Sequence, residues 1–301
     1  MVRDREPRGV FAGLATLDVI HRVDDPPGRN EKITARAQFV AAGGPAANAA
    51  VTFAALGGRA TLVTALGSGT VARAIADDLE AAGVRVVDVA PDLSDVAPVS
   101  SVAVTESSGD RSVIGGDAAG LVVPAPDSAA VTDFLSSADV LLVDGHHPEL
   151  ARAMAEGAAR AALPIVVDAG RWKPVFAHLL PQASDVVASA DLRAPGAEDA
   201  AATRARIRQM GVPTVVTTAG GAPVRWWSGG SEDELAVPTV PVVDTLAAGD
   251  VFHGAYAFAL ARGAGIRARI AFASEVAATR CTFVGPRSWL SAIRNIPLEP
   301  R

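Results

Sequence analysis

The chain has 301 residues, half of them hydrophobic and a fifth charged, with a formal net charge of −6. That composition suits a folded α/β protein and excludes a disordered one, and the acidic balance excludes a sequence-independent grip on nucleic acid. The single cysteine, Cys281, excludes an internal disulfide framework, and no apolar run reaches the ~18 residues of a membrane span. The expectation is a cytoplasmic protein with neither a nucleic-acid nor a membrane partner.

In chain order, the first eight residues read as loose. Short Val- and Ile-rich runs then predict strands at 9–13, 61–65, 84–89, 139–143, 164–168, 185–188 and 213–217. Stretches of helical period predict helices at 46–56, 71–82, 128–137, 149–162, 197–210, 249–262 and 266–283. Gly57, Gly83, Gly211 and Gly263 stand where helices stop. Strands alternating with helices imply an α/β fold, a mostly parallel, doubly wound sheet covered on both faces. Two stretches break the rhythm and read as β-hairpins: 19–23 with 34–40, and 99–105 with 111–115 around Ser107-Ser108-Gly109-Asp110. The domain reading is a large α/β unit of residues 1–18, 41–96 and 121–301, and a discontinuous β lid of 19–40 and 97–120.

Two segments carry candidate chemistry. The first is Ala42-Gly43-Gly44-Pro45-Ala46-Ala47-Asn48, a diglycine turn into a helix. It is either a plain tight turn or a glycine floor for a polyol, with Asn48 bonding its hydroxyls. The second is Asp244-Thr245-Leu246-Ala247-Ala248-Gly249-Asp250, small residues between an apolar strand ending at Val243 and a long helix. Small residues let an anion approach bare N–H groups at a helix N-terminus. Asp250 either caps its own helix or acts as a general base beside that anion hole.

Together, Gly43-Gly44-Pro45-Ala46-Ala47-Asn48 with Leu56-Gly57, and Asp244 to Asp250, resemble the two signatures of the ribokinase, or phosphofructokinase-B, family over essentially the whole chain. Gly13 to Ile20 looks most like ketohexokinases, whereas 251–255 and 277–282 look more like sulfofructose kinases. The resemblance implies a ribokinase-like fold and ATP-dependent phosphorylation of a small sugar. Asp250 would be the base, and N–H groups of Ala247, Ala248, Gly249 and Asp250 the anion hole. Asp18, Gly43, Gly44 and Asn48 would bind the sugar, and Thr218 and Gly220 would sit in the ATP turn. ATP would arrive with Mg2+, and a monovalent cation is a further candidate.

Four departures from the pattern stand out. Ala247 replaces the usual first glycine of the anion hole, a change tolerated if φ there is negative. Pro223 replaces a glycine after the ATP turn. The family's Asn-x-x-Glu element is eroded near Ser189-Ala190-Asp191, leaving Asp191 as its substitute. Pro45 stands where ketohexokinases contact substrate.

Lys32, in the first hairpin, is a substrate contact or a solvated lysine. Lys173, past a strand end, is a phosphate contact or likewise solvated. Asp144-Gly145-His146-His147 is a substrate-facing loop, a plain loop or a metal fragment, and Asp144 is taken as a substrate ligand. No metal ligands are assigned. The alternatives are a nucleoside kinase, disfavoured because the lid segments carry one aromatic residue, Phe39, and a non-catalytic sugar-binding or regulatory protein. A homodimer through the exposed lid faces is expected, because a small open sheet needs covering.

Overall fold

The computed structural model describes residues 5–118 and 120–298. In chain order its elements are β1 (Arg8–Ala12), β2 (Thr16–Val23), β3 (Ala37–Gly43), α1 (Pro45–Ala55), β4 (Arg59–Thr64), α2 (Thr70–Ala81), β5 (Val84–Asp88), β6 (Val99–Thr105) and β7 (Arg111–Gly115). There follow α3 (Ser128–Leu135), β8 (Val140–Val143), α4 (Pro148–Arg160), β9 (Ile165–Ala169), α5 (Phe176–Leu179), β10 (Asp185–Ser189) and α6 (Ala200–Gln209). The chain closes with β11 (Thr214–Ala219), β12 (Ala222–Ser228), β13 (Ser231–Leu235), α7 (Ala248–Ala261), α8 (Ile266–Cys281) and α9 (Leu290–Ile293).

The large sheet runs β13-β12-β11-β10-β9-β8-β1-β4-β5. Its strands from β11 to β5 are parallel, while β12 and β13 add an antiparallel edge. Successive side chains of a strand point to opposite faces. Phe11 and Leu142 therefore join α1, α7 and α8 in one core, while Val10, Ala12, Leu141 and Val143 join α4 in a second. That is the doubly wound arrangement expected from the alternation.

The smaller sheet runs β3-β2-β6-β7. Its two hairpins are fused by the parallel pair β2 and β6, with Asp18 opposite Ser100. β2 starts at Thr16 and β3 continues to Gly43, so Asp18 and Gly43 both lie in this sheet. Both strands extend further toward the diglycine turn than the hydrophobic pattern indicates, because their small residues pair through backbone alone.

Two expectations change. Residues 241–243 form no strand; the Val243 and Asp244 N–H groups donate to the Cys281 carbonyl at the end of α8, at 2.9 and 3.3 Å. Among the described residues, the N-terminus is tied down: Arg5 pairs with Asp139, Glu6 with Arg59, and the Pro7 carbonyl accepts from Arg59 N–H. Residues 1–4 of the segment expected to be loose lie outside the described residues. Strand β13 has no counterpart among the predicted strands, since Glu232, Asp233 and Glu234 leave no apolar alternation.

Helices α1 and α7 cross closely because Gly254 carries no side chain. A Cβ there would collide with the Ala49 carbonyl and lie 2.8 Å from Thr52 Cβ. Gly254→Ala is expected to cost about 1–3 kcal/mol by overpacking, read as a lower denaturant midpoint with an unchanged slope.

Candidate active site

The crossing of α1 and α7 brings their N-terminal turns together. Asn48 Nδ2 donates to Asp250 Oδ2 at 2.9 Å. The Asp250 carboxylate thus reaches across to the neighbouring helix, and the residue at the N-cap of α7, Ala247, offers no side-chain cap. The first N–H groups of such a helix lack intrahelical acceptors, and a Cβ built on Gly249 meets nothing within 4 Å. The turn is therefore open to a ligand where its backbone donors point.

Ala247 adopts φ 59° and ψ 12°. The backbone is left-handed, so the condition of a negative φ is not met and the methyl is carried at a cost of roughly 1–2 kcal/mol. The loop withstands this because it is anchored on three sides. Asp244, 1 % exposed, accepts from Leu246 N–H at 2.9 Å and Gly285 N–H at 3.2 Å, and pairs with the buried Arg280 at 3.2 Å. The same guanidinium donates to the carbonyls of Asp244 and Phe283. From the small sheet, Arg22 donates to the Val243 carbonyl at 3.2 Å. Thr245 N–H and Oγ1 both donate to the Gly109 carbonyl at the tip of the β6–β7 hairpin. Arg111, on β7, donates to Thr245 Oγ1 at 3.3 Å.

The diglycine turn faces this loop. A Cβ on Gly43 would strike the Asp18 carboxylate, and Gly44 holds φ 95° with the Leu14 carbonyl 2.5 Å from where its Cβ would be. Both positions demand glycine, one for space and one for conformation. Asp18 Oδ1 accepts from Thr16 Oγ1 at 2.6 Å. Burial pushes the Asp18 carboxyl up, against hydrogen bonds from Thr16 and Ser100 and the charge of Arg287. Asp18, Asn48, Ala247, Arg287 and Trp289 line one cleft. Asp18, Gly43, Gly44, Asn48 and Ala247–Asp250 are thus brought together.

Apart from Lys32, the remaining candidates are spread along the rim where the parallel strands end, as chain order dictates for such sheets. Asp144 follows β8 but is fully buried: its carboxylate accepts from the N–H groups of Leu14, Ala46 and His146. Burial alone would raise it, yet His146, Lys173 and the Leu14 N–H hold it well below the usual carboxylate range. It staples the turn after β1 to the start of α1, so in this structure its oxygens serve backbone groups. Lys173 follows β9 with Nζ 5.3 Å from the Phe176 ring centre. Asp191 is exposed in the turn after β10, its N–H bonded to Ser189 Oγ. Thr218 ends β11, and Gly220, at φ 56°, makes the tight turn into β12. Lys32 is exposed in the β2–β3 connection.

Sequence reasoning missed Asp168 and His253 as neighbours of Asp250. His253 follows Asp250 by three residues on α7, and its Nδ1 lies 3.1 Å from Asp168 Oδ2 at the end of β9. Burial, and then the Asp168 charge, push the Asp250 carboxyl up to about 6, against the Asn48 hydrogen bond and the charges of His253 and Arg111. The helical spacing of Asp250 and His253 was visible; their meeting with Asp168 needed the strand order. Ligand atoms of these three residues lie within 4.8 Å of one another, but Mg2+ prefers an all-oxygen octahedron. An imidazole already paired with one of the carboxylates does not fit it, and magnesium is assigned to none of the three. No helix among the described residues is long and apolar enough to cross a membrane.

The sequence profile of the pfkB family of carbohydrate kinases matches residues 8–292. A ketohexokinase of Mus musculus is 26 % identical over 293 residues, covering 93 % of this chain and 98 % of its own. A ribokinase of Bacillus subtilis is 25 % identical over 280 residues, covering 90 % and 92 %. The structure of Arabidopsis thaliana ribokinase, complexed with ribose and ATP, superposes with a TM-score of 0.76 at 22 % identity, covering 96 % of this chain and 99 % of that one.

A carboxyl raised by its surroundings favours the fold in its neutral form, and that contribution is lost as pH rises through the folded-state value. Asp250→Asn is therefore expected to melt at a higher temperature than the parent protein at pH 8. The difference should shrink toward pH 5, in thermal scans across that range.

Proposed function

The chain belongs to the pfkB family of carbohydrate kinases and is an ATP-dependent sugar kinase, and on that premise we propose that it phosphorylates a hydroxyl of a small, ketohexose-like sugar with Asp250 as general base. The observation that supports this reading most is the Asn48–Asp250 contact at the meeting of two helix N-termini. A hydroxyl entering there would find a carboxylate to take its proton, beside a backbone turn able to receive an anion.

In this reading Asp18 and Asn48 accept from and donate to the sugar hydroxyls, and Gly43 and Gly44 keep the floor low enough for close approach. As the sugar oxygen bonds to the γ-phosphorus and the bond to the β-phosphate oxygen breaks, the hydroxyl proton passes to Asp250. N–H groups of Ala247 to Asp250 meet the charge on the transferring group. Arg111, reaching from β7 to Thr245, adds a cation on the lid side. Thr218, Gly220, Lys173 and Asp191 are proposed to flank ATP along the strand-end rim. ATP would arrive as its magnesium complex, with no residue of this chain assigned to the ion.

A nucleoside acceptor is the weaker reading. Phe39, the one aromatic residue of the lid, packs beside Gly285, its Cε1 3.2 Å from where a Cβ there would be, and Trp289 is only 2 % exposed, a wall of the cleft rather than a stacking platform. The deciding experiment is ATP consumption across ketohexoses, aldoses, their phosphates and nucleosides. Turnover is expected with a sugar, and Asp250→Asn is expected to lower kcat by about 10²–10⁴-fold. Undiminished turnover in that variant contradicts the mechanism, and ATP binding without turnover on any acceptor favours a sugar-binding sensor.

We also propose a homodimer through the lid. Strand β7 is exposed along its whole length, with Ile114 80 % and Val113 53 % exposed, and unpaired apolar strands invite pairing. Light scattering should give twice the chain mass, and Ile114→Asp should halve it. A monomeric parent protein at assay concentration refutes the dimer.

A further inference from the structure

We propose that His253 and Asp168 form a positioning pair behind Asp250, an imidazolium clamped between two carboxylates that keeps the base ionised and turned toward the acceptor. The proposal rests on the reading of Asp250 as base.

The geometry carries it. Residues three apart on a helix share a face, so α7 places His253 directly beneath Asp250. Asp168, next to the last residue of β9, brings its Oδ2 to 3.1 Å from Nδ1. All three groups offer atoms within 4.8 Å of one another. His253 is 6 % exposed and Asp168 5 %. Neither ring nitrogen has a well-aligned hydrogen bond, nor has Asp168 Oδ2.

The electrostatic reason is simple. Two carboxylates close together in a poorly solvated site do not both ionise without a cation between them. The charged and titratable groups facing Asp250 are Asp168 from β9, His253 from its own helix and Arg111 from β7, with the neutral Asn48 from α1. Those facing His253 are Asp168 and Asp250, with the Val187 backbone of β10 beside it. Arg111 is exposed on the lid, so the permanent, enclosed counter-charge is His253. Burial opposes a charge on the ring, but the Asp168 and Asp250 carboxylates and the Val187 backbone together outweigh it, and the net direction is upward. With His253 protonated, Asp250 can be anionic before transfer. When Asp250 takes the hydroxyl proton, His253 keeps its own proton and remains paired with Asp168. The pair touches no reacting atom and acts through Asp250 alone.

The two partners act on the base with opposite sign, which gives a test that misfolding does not mimic. On the sugar that the acceptor panel identifies, the acidic limb of kcat against pH should move up by about one unit in His253→Gln and down by about one unit in Asp168→Asn. KM should change less than about threefold. Shifts of the same sign, or a lower kcat with an unmoved limb, overturn the proposal. A second measurement needs no acceptor: ring-nitrogen NMR of protein labelled with 15N at its five histidines, with His253 assigned by its loss in His253→Gln. Both ring nitrogens of His253 should be protonated at pH 7.5 in the parent protein, and one should lose its proton at that pH in Asp168→Asn. A neutral His253 ring in the parent protein overturns the pair. If no acceptor is turned over, the base assignment fails while the NMR result still decides the state of the pair.

Discussion

Where α1 and α7 cross, two backbones approach closely enough for the first turns of both helices to share a space. Gly254 against the Ala49 carbonyl sets that distance, and the Asn48–Asp250 hydrogen bond follows from it. The crossing also decides which way each helix dipole points. Both N-termini, with their partial positive charge, converge on the cleft. The diglycine turn enters α1 and the small-residue loop enters α7, so the glycine-rich segments that leave backbone bare lie on either side of one opening.

The cleft is organised by charges that would be costly one at a time. Asp244 and Arg280 are both nearly inaccessible, and each is satisfied by backbone groups as well as by the other. Removing one member of such a buried pair typically costs about 3–5 kcal/mol, so the pair acts as a fixed strut beneath the anion-hole loop. That strut lets Ala247 stay left-handed. By contrast, Asp250 is not satisfied in this way: burial and Asp168 raise it against one amide donor and two nearby cations. Stability is surrendered at the carboxylate proposed as the base and recovered at the one that holds the loop.

Much of this was legible in the residues. The parallel sheet, its helices and the β6–β7 hairpin followed from periodicity and turn chemistry, because their apolar positions recur with the period of the element. Gly43, Gly44, Asn48 and Asp250 could be singled out because short, unusual residue types stood at predicted helix starts. Asp168, Arg280 and Arg111 could not, since each reaches the cleft from an element distant in sequence and no local pattern sets it apart. Asp144 is ambiguous for a related reason: a carboxylate at a strand end reads alike whether it faces a ligand or backbone N–H groups, and in this structure it accepts from those of Leu14 and Ala46. The sign of φ at Ala247 was equally invisible, being imposed by the anchored loop against the preference of alanine.

The parallel pairing of β2 with β6 has a mechanical consequence. It welds two hairpins into a single plate, with Asp18 near the edge joined to the diglycine turn and Arg111 on the opposite outer strand. A plate of four hydrogen-bonded strands tilts as one body, so whatever pulls on Asp18 also swings Arg111 relative to α7. The carboxylate beside the diglycine turn and the guanidinium beside Thr245 are two ends of the same lever.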